Sequence, residues 1–183
     1  MATAKTGSFY LTETVTLPAS SATGTRVQGV IDLGAYVNVA TGQAVAIESV
    51  DIIVQSGGNY NQFLQNIYTG DGCLSTQLTD LNPGTEFLRA DDHSLVASSA
   101  MNVDRTANLA THTADIYPDN FGPSALSEAF LVVNDSLYLV AGTEGSDLGA
   151  NEVYVTARIK ARIVKLSNKD WMAIAIQSTA SDN

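Results

Sequence analysis

The 183-residue chain has one cysteine, four lysines, two histidines, one tryptophan and four prolines. Each scarcity excludes something. A lone Cys73 cannot close an internal disulfide or build a cysteine metal cluster, and its default role is that of a small buried apolar side chain. Nine basic residues stand against nineteen acids, for a net charge of −10, so the broad basic surface that phosphate contacts need is missing. Nucleic acid is therefore not an expected partner. No apolar run approaches the roughly 20 residues of a bilayer span, so no transmembrane helix is expected. Residues 1–7 hold no apolar core, which argues against a secretory signal. Walker A, dinucleotide-binding glycine patterns and nucleophile elbows are also missing, and no small-molecule substrate or cofactor is expected.

What the chain does have is an uneven charge layout. Five of its nine basic residues, Arg158, Lys160, Arg162, Lys165 and Lys169, fall within twelve positions. No acid lies between Val153 and Lys169, whereas residues 71–152 carry thirteen acids against two arginines. Thirteen of the nineteen acids are Asp, and Ala, Ser and Thr together supply 57 residues. That composition fits a protein kept soluble in high salt, and equally an ordinary acidic one.

The dominant hydrophobic period is two. In Phe9–Leu17, Phe9, Leu11, Val15 and Leu17 share one face while Tyr10, Thr12, Thr14 and Thr16 share the other, as in a half-buried strand. Further strands are expected over 27–39 (bent at Gly29 and Gly34), 44–54, 73–78, 86–89 and 94–101. Residues 130–133 and 137–140 flank Asn134-Asp135-Ser136 and read as a tight hairpin. Residues 153–166 form the longest strand, with 153, 155, 157, 159, 161 and 163 on its apolar face. Residues 62–68 are ambiguous. Short helices are expected over 124–128 and 169–177, the second capped by Ser167-Asn168. Residues 102–126 lack periodicity and read as one long loop, a feature expected to serve an interface. Its aromatics Tyr117 and Phe121 are the expected apolar anchors. The length suits one domain, 1–183. Eight to ten short strands with little helix imply an all-β protein, a sandwich or barrel such as an eight-stranded jelly roll.

Catalytic chemistry is hard to find. Asp91-Asp92-His93-Ser94 holds triad residue types, but neighbours along a strand point to opposite faces, so these four cannot converge alone. His112, Asp115 and Asp119 could bind a cation, though nothing fixes a ligand spacing. Asp71 sits between two glycines but lacks the further acids of a calcium loop. Asn134-Asp135-Ser136 is a glycosylation sequon. The cationic segment has two readings. Arg158, Lys160 and Arg162 alternate with Ala157, Ile159, Ala161 and Ile163, so the cations must point away from the core. They form either the solvated face of an edge strand, or a face that meets an acidic neighbour. Acidic loops at 86–92, 115–119 and 144–152 could supply that neighbour from another copy.

In length, acidic composition, β pattern, Met-Ala-Thr start, long inserted loop and 153–166 strand, the chain resembles a viral coat protein. It is similar to the smaller single jelly-roll major capsid protein of icosahedral, internal-membrane viruses of halophilic archaea, the sphaerolipovirus-like group. The resemblance implies a jelly roll standing upright on the capsid, in pseudo-hexameric capsomers with a larger sister protein, in a virion and close to an internal membrane. The modest charge departs from a strongly halophilic pattern. A β-sandwich carbohydrate-binding or adhesin module is the alternative, with Tyr60, Tyr68, Tyr117 and Phe121 as stacking surfaces. An enzyme is the least favoured class.

Overall fold

The structure, a computed structural model, describes residues 2–60, 66–113 and 130–179. The two-residue alternation does build strands, and strand covers 53% of the described residues against 9% helix, which makes the protein all-β. In chain order the strands are β1 (Thr3–Ala4), β2 (Phe9–Leu17), β3 (Arg26–Asp32), β4 (Gln43–Ser56), β5 (Gly72–Thr79), β6 (Leu95–Asp104), β7 (Leu109–Thr113), β8 (Phe130–Val132), β9 (Ser136–Glu144) and β10 (Val153–Lys165). Among the described residues one α-helix, α1 (Asn168–Thr179), follows.

Among the described residues all strand pairings are antiparallel and form two sheets. In sheet A, β1 and β2 lie end to end along one side of β10, followed by β4 and then β8. Sheet B runs β3-β9-β5-β6-β7. Without the short β1 and β7, the strands run β2-β10-β4-β8 against β3-β9-β5-β6, with the chain passing from sheet to sheet at most connections. That order is a jelly roll.

The inward positions of both sheets fill one core, in which Leu17, Ile47, Leu74, Leu78, Leu139 and Ile159 are fully buried. Truncating such a residue to Ala costs about 2–5 kcal/mol, a large share of the roughly 5–15 kcal/mol that keeps a domain folded. The sheets close on each other where β2 meets β3. A Cβ on Gly29 there would come 2.6 Å from Glu13 Oε1 and 2.8 Å from Val15 Cγ1, so only glycine fits. A smaller cluster lies outside sheet A. Trp171, Ile174 and Ala175 of α1 recur at helical spacing and pack on Ala44, Ala46, Val164 and Leu166. The expected cap is present, with the Asp170 amide donating to Ser167 Oγ at 3.2 Å. Among the described residues no helix is long and apolar enough to cross a membrane.

Four expectations need correction. β10 is not an edge strand, because β2 and β4 pair with it on its two sides. Residues 134–136 do not turn a hairpin. β8 joins sheet A and β9 joins sheet B, so the segment crosses between sheets. The long loop begins later than expected, because β6 extends to Asp104 and β7 pairs back along it. The turn is made by Asn108 at φ 59° and by Asp104 Oδ1, which accepts from the Ala107 amide at 2.7 Å. Residues 86–89 are not a strand. The Gln77 side chain instead bonds both backbone groups of Leu88, at 2.7 and 2.8 Å, and holds the segment against sheet B. The expected 124–128 helix lies outside the described residues.

Candidate assembly face

The longest strand sets the geometry. Along β10, Val153, Val155, Ala157, Ile159 and Ala161 are fully buried, so Tyr154, Thr156, Arg158, Lys160 and Arg162 stand on the outer face of sheet A. The flanking rows follow from register. Arg158 lies between Thr12 and Asp51, Thr156 between Thr14 and Ile53, and Tyr154 between Thr16 and Gln55. Thr14 and Thr156 share a hydroxyl hydrogen bond at 2.8 Å. The Arg158 guanidinium sits 5.1 Å from the Tyr10 ring centre, and Tyr10 remains 57% exposed.

The three cations are not equivalent. Between Lys160 and Ala161 the register with β4 slips by one, and Glu48 is the extra residue of that bulge. A bulge re-aims a side chain. Here it sends the Glu48 carboxylate outward between two cations, where only 7% of Glu48 stays exposed. Lys160 Nζ lies 3.4 Å from Oε2, Arg162 Nη2 pairs with Oε1, and Ser8 Oγ donates to Oε2 at 3.0 Å. Lys160 and Arg162 thus face away from the core, as the alternation requires, but close on an acid of their own subunit. Arg158 alone of the three is exposed. Sequence reasoning missed Glu48 because it directly follows an apolar run, Ala44-Val-Ala-Ile47, with nothing to announce the bulge.

The remaining candidates separate. Tyr117, Phe121, Asp115 and Asp119 lie outside the described residues. His112 Nε2 lies 2.6 Å from Ser99 Oγ across the β6–β7 pair. His93 is exposed, while Asp92 Oδ1 accepts both the amide and the hydroxyl of Ser94, the pattern of a local turn cap. Among the described residues no three His, Cys, Asp or Glu gather to hold a metal ion. Asp71 Oδ1 accepts from the Arg105 amide at 2.8 Å. Cys73 is half-buried, not enclosed, and lines a shallow groove of about 390 Å³ with Asp71, Asp104 and Glu144. The acidic loops are partly spent internally: Arg26 pairs with Glu86 and Glu144, and Arg89 with Asp91.

The sequon is not presented freely. Asn134 Nδ2 donates to the Asp80 carbonyl at 2.9 Å and to its carboxylate at 3.2 Å. Asp80 is itself buried, and desolvation pushes its pKa up to about 7 against the opposing Asn134 hydrogen bond. Tyr68 is fully buried rather than a stacking surface, and burial pushes its phenol up to about 12. Tyr60 is exposed and packs against Tyr154 with ring centres 5.3 Å apart.

No protein-family model matches this chain, and no curated protein matches it.

Proposed function

We propose that this chain is a structural capsid subunit that associates with copies of itself and with a larger sister capsid protein to build the capsomers of a virion. One observation carries the reading: apolar side chains are exposed on several sides of the jelly roll at once. Tyr10 and Ile53 stand on sheet A, Val30 on the outer face of sheet B, Leu109 on its last strand, and Met172 and Ile176 on α1. A subunit bordered by several neighbours needs contacts on several sides, whereas a small-ligand module gathers them in one concavity. Electron microscopy of the purified protein, alone and co-expressed with the products of neighbouring genes, tests the proposal. Ring-shaped capsomers are expected. Monomers under every condition overturn it.

The carbohydrate-binding alternative draws support from the exposed Tyr60, packed against the half-buried Tyr154, whose ring could stack on a sugar. A glycan array separates the two. Binding that Tyr60→Ala removes would favour the alternative.

A further inference from the structure

The outer face of sheet A is dipolar along β10. Its N-terminal end carries Glu152 and Tyr154, joined by a 2.6 Å hydrogen bond from the phenol to Glu152 Oε2. Farther along come Arg158 and Lys160. Counted as a strip, Arg158, Lys160 and Arg162 balance Glu48, Asp51 and Glu152, so this face is neutral in a chain of net charge −10. Two copies repel least where each is neutral, and attract where unlike ends meet.

We propose that this strip is a homotypic contact in which a second copy packs antiparallel, face to face, about a two-fold axis crossing the strands near Val155. The proposal names the contact surface for the assembly reading and rests on that reading. Antiparallel placement lays Glu152 of each copy over Arg158 of the other, the one cation of the three that is exposed. It makes the same complementary contact twice, as an isologous interface must.

The helix selects this orientation. α1 stands on sheet A at the Val164 and Leu166 end. A helix is about 10 Å thick, and stacked sheets lie about 10 Å apart. Parallel copies would therefore drive both helices into one gap. Antiparallel copies leave each helix beyond the far end of its mate. The strip clear of α1, three strands wide and nine residues long, has a footprint of roughly 400 Å². That is about half the area per partner of a standard stable interface, so the contact is weak alone and gains by repetition in a shell.

The test uses two charge reversals, Arg158→Glu and Glu152→Arg. The two residues lie about 20 Å apart within one subunit, so they cannot compensate each other there. Each reversal alone sets like charges against each other in both halves of the contact. Self-association read by sedimentation velocity at about 0.15 M salt, where the Debye length is about 8 Å, should weaken about tenfold or more. An equimolar mixture of the two variants should regain wild-type association, because every contact in the heterodimer is again complementary. Circular dichroism melts confirm that each variant folds. If one does not, the milder pair Arg158→Gln and Glu152→Gln reads the loss of association instead. Variants that associate like wild type, or a mixture that stays monomeric, overturn the contact, and capsomers in the micrographs would then leave the assembly reading standing on another surface. A wild type that is monomeric both here and in the micrographs overturns both.

Discussion

Replacing Glu48 by Gln should be among the most damaging conservative changes in this protein. The substitution keeps shape and hydrogen-bonding capacity and removes one charge. That charge sits in a bulge of β4, 7% exposed, between Arg162 and Lys160, whose side chains are 19% and 33% exposed. Without it, Arg162 keeps a mostly buried guanidinium facing an amide, and Lys160 adds a second positive charge a few ångströms away. Breaking a buried pair from one side costs about 3–5 kcal/mol. The third of Lys160 that water reaches weakens its share. The expected loss is about 3 kcal/mol, which for a chain of this size lowers the melting temperature by roughly 6–12 °C. Urea denaturation should show a lower midpoint at unchanged slope. Arg158→Gln is the internal control. It lies on the same strand and face but is exposed, so it should shift stability by less than about 0.5 kcal/mol. A second comparison separates charge from packing: Glu48→Leu combined with Arg162→Met should recover most of the loss, since replacing a buried pair by apolar side chains is often neutral. If Glu48→Gln costs less than about 1 kcal/mol, the carboxylate does not neutralise the cations above it, and the account of this cluster is wrong.

That cluster also marks the boundary of what could be read in advance. The all-β class and the long C-terminal strand were legible because a two-residue alternation exposes its own faces. Val153 to Ala161 on one side and Tyr154 to Lys160 on the other allow one orientation. The C-terminal helix was legible from its cap, Ser167-Asn168. The reading of β10 as an edge strand, one of two, failed because pairing partners lie far away in sequence, at β2 and β4, and neither carries a local mark of it. The crossing at 134–136 failed for a related reason: a hairpin and a sheet-to-sheet connection use the same short polar residues. Lys160 and Arg162 were correctly turned outward, yet their partner was sought on another molecule. A one-residue bulge had placed it on the adjacent strand.

Three further outcomes are expected. Gly72→Ala should destabilise the fold by about 1–3 kcal/mol, because its Cβ would come within 2.5–2.8 Å of ring atoms of the fully buried Tyr68; a neutral result in denaturant would mean that the ring can move. Trp171 is the only tryptophan and anchors α1 on sheet A, so its fluorescence reports helix docking; Trp171→Ala should cost about 2 kcal/mol, below the fully buried range because the residue is half-buried, and an unchanged melt would show that α1 contributes nothing. The last concerns pH. Asp80 is buried beside the Asn134 amide and near the charge of Asp92, and desolvation lifts its pKa from 3.8 to about 7. The folded protein therefore holds this proton more tightly than the unfolded chain does. Between about pH 4 and pH 7 the folded state binds more protons, so stability falls as pH rises through that window. Glu13, lifted in the same direction by burial, adds to the slope. Asp80→Asn keeps an acceptor for Asn134 and stays neutral at every pH. It should flatten the profile and leave the variant more stable than wild type at pH 8. Parallel wild-type and variant curves from pH 4.5 to 8 would show that Asp80 stays ionised in the fold and that its burial is relieved by water.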